Sequence, residues 1–210
     1  QFIAQALENA GYKCGVIGTL GSGRLTEMTH TGMTTPDPVT MQALLAQMRD
    51  NGIEYVALEA SSHALQQDRL DFVDIDFAVL TNLSRDHLDY HQSMEAYAAA
   101  KQRLFLFTSL RAAVINVDDN FGQNLLSILA KQQVQLTTYS HQSVEANVFA
   151  SQIEALPDGL RFYLQVDNQS QQIHSRVLGK FNVENMLATA AVLSLLGWNL
   201  QQIGHALSEL

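Results

Sequence analysis

The densest chemistry in this 210-residue sequence is one run of eleven residues, Thr81-Asn82-Leu83-Ser84-Arg85-Asp86-His87-Leu88-Asp89-Tyr90-His91. Two histidines, two aspartates and an arginine offer metal ligands, phosphate donors and proton-transfer groups within one short segment. The run follows an apolar stretch, Phe77 to Thr81, that reads as a buried strand, so its polar side chains fall at a ligand-facing sheet edge. A solvated loop accommodates the same residue types, and their spacing matches no zinc pattern. A second segment, Tyr55-Val56-Ala57-Leu58-Glu59-Ala60-Ser61-Ser62-His63, delivers a carboxylate and then hydroxyls from the end of an apolar strand. That donor set suits a hard cation such as Mg²⁺, which prefers carboxylate and water oxygens and bridges to substrate phosphates. Equally, Glu59 can simply end a strand while Ser61 caps the helix that follows.

Further candidates are scattered along the chain. Lys101 follows Ala98-Ala99-Ala100, whose small side chains allow close approach, although a helical lysine is ordinarily a solvated charge. Thr34-Thr35-Pro36 precedes a helix and presents hydroxyls and backbone N–H groups to an anion, or forms an ordinary turn. Arg69, two residues after Gln67, can clamp an anion bidentately or make a surface ion pair. Asn116-Val117-Asp118-Asp119 ends a strand with paired acids, which fit helix capping or a ribose hydroxyl. Gly179-Lys180-Phe181-Asn182-Val183-Glu184-Asn185 opens a helix in which Asn182 is the better cap and Asn185 the freer side chain. Cys14 reads as buried in a strand, and neither it nor His205 is given a catalytic role.

These groups need a frame, and the periodicity supplies alternating strands and helices. An apolar stripe from Gln1 ends at Gly11, Lys13 to Thr19 reads as a buried strand, Gly21-Ser22-Gly23 as a turn, and Leu25 to His30 as a returning strand. Asp37-Pro38 is a helix start, an N-cap followed by proline at the first helical position, and Asn51-Gly52 ends that helix. Strands are expected at Glu54–Leu58, Phe77–Thr81, Ala112–Val117 and Val134–Tyr139. Helices are expected at Ser62–Gln67, at Met94–Phe107 and after Asp118-Asp119. From Glu145 to Leu178 the pattern becomes short alternating strands, with turns at Pro157-Asp158-Gly159 and Asp167-Asn168, and Asn182–Leu196 and Leu200 onward return to helix. The fold class expected is therefore α/β, a mainly parallel sheet with helices on both faces plus a small antiparallel β-ribbon.

Composition narrows the function classes. Twelve Lys and Arg against 21 Asp and Glu give a net charge of 12 − 21 = −9, which argues against nucleic acid or an anionic membrane as the partner. The longest nearly apolar stretch, Met186 to Trp198, contains Thr189 and Ser194 and is shorter than the roughly 20 residues that span a bilayer. The one cysteine cannot form an internal disulfide, so a cytoplasmic location is expected. The uncapped helical patterns at both ends suggest a segment of a longer protein.

In order and spacing, Glu59 to His63, Thr81 to His91, Lys101, the Thr34-Thr35 pair and Gly179 to Asn185 resemble the central domain of the Mur ligases, most closely the MurE type. The resemblance spans essentially all of residues 1–210. It implies one ATP-binding domain, P-loop-like in fold, with a Gly-Lys-Thr phosphate loop just before residue 1 and further domains on either side. It also implies an ATP- and Mg²⁺-dependent enzyme that adds meso-diaminopimelate or L-lysine to UDP-MurNAc-L-Ala-D-Glu through an acyl-phosphate. Glu59 and His87 would hold magnesium, together with a carbamylated Lys101, and these three would form the catalytic set. Thr34, Thr35, Ser61, Gln67 and Arg69 would contact the muramyl-dipeptide substrate. Asn182 and Asn185 would lie near the adenine, with Asp118 or Asp119 on the ribose. A monomer is expected, and an isolated central domain should lack ligase activity. Rival readings are a MurF-, MurC- or folylpolyglutamate synthetase-type ligase and a catalytically silent nucleotide-binding module.

Overall fold

The computed structural model describes every residue except Thr31. It divides into two compact units, one of residues 1, 3–75 and 85–109, the other of residues 2, 76–84 and 110–210.

The first unit is built on β1 (Cys14–Gly18), β2 (Gly21–Arg24), β3 (Glu27–Thr29) and β4 (Tyr55–Leu58), in the order β3-β2-β1-β4. Helix α2 (Pro38–Asp50) connects β3 to β4, and β4 lies parallel to β1. Its start is the expected one, because the Asp37 side chain accepts from the Val39 and Thr40 N–H groups and Pro38 needs no partner. Met41 and Met48 on α2 pack with Ile17, Leu65 and Leu70 to form the core. Gly21-Ser22-Gly23 is strand rather than the expected turn. Both glycines have positive φ and pair with β1, so the reversals fall instead at Thr19-Leu20 and Leu25-Thr26. The returning strand is accordingly only Glu27–Thr29.

Around this sheet lie α1 (Phe2–Asn9), α3 (Ser62–Gln66), α4 (Leu88–His91) and α5 (Met94–Gln102). The single helix expected over Met94–Phe107 tightens into a 3-10 turn at Arg103–Leu106. There Arg103 leaves the helix face to donate to the Gln66 carbonyl and pair with Asp68. Helix α4 was not expected. It is one turn long, bracketed by His87 and Gln92 in the left-handed region, a geometry with no periodic signature in sequence.

The second unit carries β5 (Phe77–Leu80), β6 (Ala112–Asn116), β7 (Gln135–Ser140), β8 (Val148–Leu156), β9 (Gly159–Val166) and β10 (Gln169–Ser175) as one sheet in sequence order. Strands β5 to β8 pair in parallel and β8 to β10 antiparallel, so the expected ribbon continues the parallel sheet instead of standing apart. Its two turns fall where Pro157-Asp158-Gly159 and Asp167-Asn168 place them. Helix α6 (Asn120–Leu129) crosses from β6 to β7, and α7 (Asn182–Leu195) packs on the sheet with nine buried residues, which makes it a core helix rather than an amphipathic one. Helix α8 (Leu200–Ser208) closes the chain behind a capping box formed by Asn199 and Gln202.

Candidate functional site

The site in the first unit begins with the parallel pairing of β1 and β4. The Glu59 N–H donates to the Ile17 carbonyl at 2.9 Å, extending the ladder one residue past β4. Glu59 thereby leaves the carboxyl edge of the sheet beside Thr19, which has just left β1. The Thr19 N–H and hydroxyl both donate to Glu59 Oε2, at 2.9 and 2.8 Å. Gly18 makes this approach possible, since a Cβ there would lie 2.7 Å from the Glu59 carboxyl carbon. The second oxygen, Oε1, takes part in neither bond.

The threonine pair and Ser61 build the wall next to it. Thr34 Oγ1 is 3.1 Å from Thr19 Oγ1. Buried Thr35 donates its hydroxyl to the Glu59 carbonyl at 2.6 Å and accepts the Ser61 N–H at 3.0 Å, so it fixes the backbone on both sides of Ala60. Ser61 caps α3 by accepting the Ala64 N–H, as the capping reading held, and its own O–H is still available as a donor.

Lys101 reaches this edge from the last turn of α5, with Nζ 3.4 Å from the Ala60 carbonyl. Burial pushes its ammonium below the usual lysine range, opposed in part by the Glu59 charge. The amine thus lies partly desolvated and in the field of the Glu59 carboxylate.

Gln67 and Arg69 form an adjoining set. Arg69 Nε donates to Gln67 Oε1 at 2.9 Å and Nη1 to the Thr35 carbonyl at 2.9 Å. The Gln67 amide in turn donates to the Tyr90 hydroxyl at 2.9 Å. Arg69 is thus held by neutral acceptors and keeps its charge uncompensated within this set, which suits it to an anion rather than to the surface ion pair that was its alternative.

His87 stands at the start of α4 with φ 54° and ψ 26°, a conformation that costs a non-glycine residue about 1–2 kcal/mol. Its ring meets His63 edge-on at 5.1 Å and Tyr97 at 5.9 Å. His63, Tyr90, His91 and Tyr97 complete the cluster, and burial holds the His63 and His91 rings below the usual histidine range. Among the described residues no three His, Cys, Asp or Glu side chains gather around a common metal position. The donors at Glu59 are instead one carboxylate and neighbouring hydroxyls, a set that fits a hard cation completed by water and phosphate oxygens.

The second unit treats its candidates differently. Asp119 caps α6 through the Phe121 and Gly122 N–H groups with one oxygen and accepts the Leu83 N–H with the other. Asp118 accepts from the Ser140 hydroxyl at 2.5 Å and the His141 N–H at 2.8 Å. Asn182 does not cap α7, because it is the first residue of the helix and donates to the Leu178 carbonyl. Asn185 is tied as well, donating to Asn182 Oδ1 at 2.9 Å. Sequence reasoning gave no individual role to Thr19, His63, Tyr90, His91 or Tyr97. Tyr90 and His91 lie inside the run already singled out, whereas Thr19 is visible only once β1 and β4 are known to be neighbours.

A family model for the Mur ligase middle domain matches residues 1–193. The chain belongs to that family. A UDP-N-acetylmuramoyl-L-alanyl-D-glutamate–2,6-diaminopimelate ligase from Pseudomonas putida is 44% identical over 209 residues, covering 97% of this chain and 42% of the relative. A solved structure of an enzyme of the same name superposes with a TM-score of 0.92 at 38% identity, over 100% of this chain and 43% of that one. MurF from Acinetobacter baumannii shares the fold, with a TM-score of 0.75 at 21% identity over 100% of this chain and 42% of that one. The chain thus spans less than half the length of each of these three relatives. The α/β fold expected from the sequence is the one these relatives share, and no helix among the described residues is long and apolar enough to cross a membrane.

Proposed function

We propose that this chain is the middle domain of a cytoplasmic, ATP-dependent ligase of cell-wall peptidoglycan synthesis, one that joins an amino acid to UDP-MurNAc-L-Ala-D-Glu. The observation that carries the reading is the edge of the β1–β4 pair, where a carboxylate is gripped on one oxygen only and a partly desolvated lysine lies in its field. In such a ligation the substrate carboxylate is activated as an acyl-phosphate, and the incoming amine displaces phosphate to leave an amide. Magnesium supplies neutralisation of the charge that crowds at the reacting phosphate.

The residues of this chain then divide the labour. Glu59, through Oε1, and His87, through its ring, would hold the cation. Lys101 would add carbon dioxide at Nζ, releasing its protons and gaining a carbamate anion, which replaces a repulsive ammonium by an oxygen donor. Thr34, Ser61 and Arg69 bind the muramyl dipeptide, Arg69 pairing with its carboxylate while Gln67 and Thr35 hold the guanidinium. Asn182 and Asn185 present a coupled amide pair to the adenine. Asp118 and Asp119 have both oxygens occupied, and we assign them to the frame around the nucleotide rather than to the ribose itself.

The relatives' names favour meso-diaminopimelate over L-lysine as the amine. The test is to incubate the full-length protein with ATP, magnesium, UDP-MurNAc-L-Ala-D-Glu and either amino acid, and to follow product mass and ADP. A diaminopimelate adduct with matching ADP release is expected, while the 210 residues alone should give none. Failure of the full-length protein to extend this precursor with either amino acid would overturn the reading.

A further inference from the structure

His91 is among the most buried polar side chains of the first unit, 5% exposed, and none of the roles above uses it. Its Nε2 lies 2.8 Å from the hydroxyl of Ser62, itself 1% exposed, and its Nδ1 is buried with no hydrogen-bond partner among the described residues. An unmet lone pair at Nδ1 is less costly than an unmet N–H there, so the proton belongs on Nε2 and Ser62 accepts it. One imidazole is in this way pinned to the turn that carries Glu59, three residues before Ser62.

His91 is tied to the other two groups as well. Its backbone N–H donates to the His87 carbonyl at 3.0 Å, closing the turn that starts at left-handed His87. The His91 ring also stacks on Tyr97 at 5.2 Å and 27°, and Tyr97 lies one helical turn before Lys101 on α5. Tyr97 touches the His87 ring as well. The turn bearing Glu59 and the helix bearing Lys101 therefore meet at the buried ring of His91, which belongs to the one-turn helix that His87 opens.

We infer that His91 is a positioning residue for divalent-cation binding, holding the Glu59 turn, His87 and the Lys101 helix in register through its bond to Ser62. The inference rests on the assignment of Glu59 to the cation. Groups that orient metal ligands without touching the metal commonly change affinity by about 10–100-fold when removed.

The experiment uses the full-length protein and Mn²⁺ as probe, with binding read at equilibrium by electron paramagnetic resonance. His91→Phe keeps an aromatic ring on Tyr97 and removes the donor to Ser62, whereas His91→Gln restores an amide donor at a similar reach. The expected result is Mn²⁺ affinity weakened about tenfold in His91→Phe and within about threefold of native in His91→Gln. Native affinity in His91→Phe would overturn the inference. Equal weakening in both variants would overturn it too, by placing the effect in ring packing and not in the Ser62 bond. Glu59→Gln separates the layers: if it leaves Mn²⁺ binding intact, the cation assignment fails, and if it abolishes binding while His91→Phe binds Mn²⁺ with native affinity, only the positioning role fails.

Discussion

Two strand ends bearing acids make an instructive pair. At the end of β4, Glu59 spends one carboxylate oxygen on Thr19 and keeps the other out of those bonds, in the field of a partly desolvated amine. At the end of β6, Asp118 and Asp119 spend both oxygens on Ser140, His141, Leu83 and the first turn of α6. The residue types and their place after a buried strand are alike, yet the first arrangement has unspent donors and the second is a structural knot. What separates them is how many donors converge on the strand end. The aspartates meet the first turn of α6, the Leu83 N–H after β5 and the Ser140 hydroxyl and His141 N–H at the end of β7, and they absorb them all.

Substitutions at the two ends should consequently fail in opposite ways. Lys101→Ala in the full-length protein is expected to lower ligation by about 10²–10³-fold, the scale of losing one preorganised charge. Its thermal midpoint should barely move, and small carboxylic acids should recover part of the rate, as steady-state ADP release will show. Asp119→Ala is expected to do the reverse. It removes a helix cap and strands the Leu83 N–H, for a stability loss of about 2 kcal/mol in denaturant titrations. Full activity loss without destabilisation there would erase the contrast.

Gly18→Ala sharpens the comparison from the neighbouring strand. The added methyl would displace the Glu59 carboxylate from Thr19, so magnesium half-saturation should rise by about tenfold with stability near native. The smallest effect is a pH slope. Because burial lowers the Lys101 pKa, the unfolded chain binds more protons than the folded one between that lowered value and the ordinary 10.5, and native stability gains with rising pH over that window. Lys101→Met should lack this gain, so the native protein improves relative to the variant as pH rises; an unchanged difference would mean the amine is solvated.

Much of this was legible beforehand. Asp37-Pro38, Pro157-Asp158-Gly159 and the apolar strands carry their own local chemistry, and the elements they define are where expected. The Gly21–Gly23 strand was not legible, since glycines paired at positive φ look like a turn until the neighbouring strand is known. Glu59, Thr35, Ser61 and Lys101 were each named from sequence, but Thr19 and His91 act through partners 40 and 29 residues away. Contacts of that range have no periodic trace in a single sequence. The asparagines of α7 misled for a local reason: a side chain that can cap can also bond back to the preceding loop, as Asn182 does.

The central claim is that the Lys101 amine is converted to a carbamate anion beside Glu59. The direct measurement is carbon-13 nuclear magnetic resonance of the full-length enzyme equilibrated with labelled bicarbonate. A carbamate signal in the native protein that is absent from Lys101→Met is the result expected. No signal in the native protein under conditions where it ligates would contradict the account.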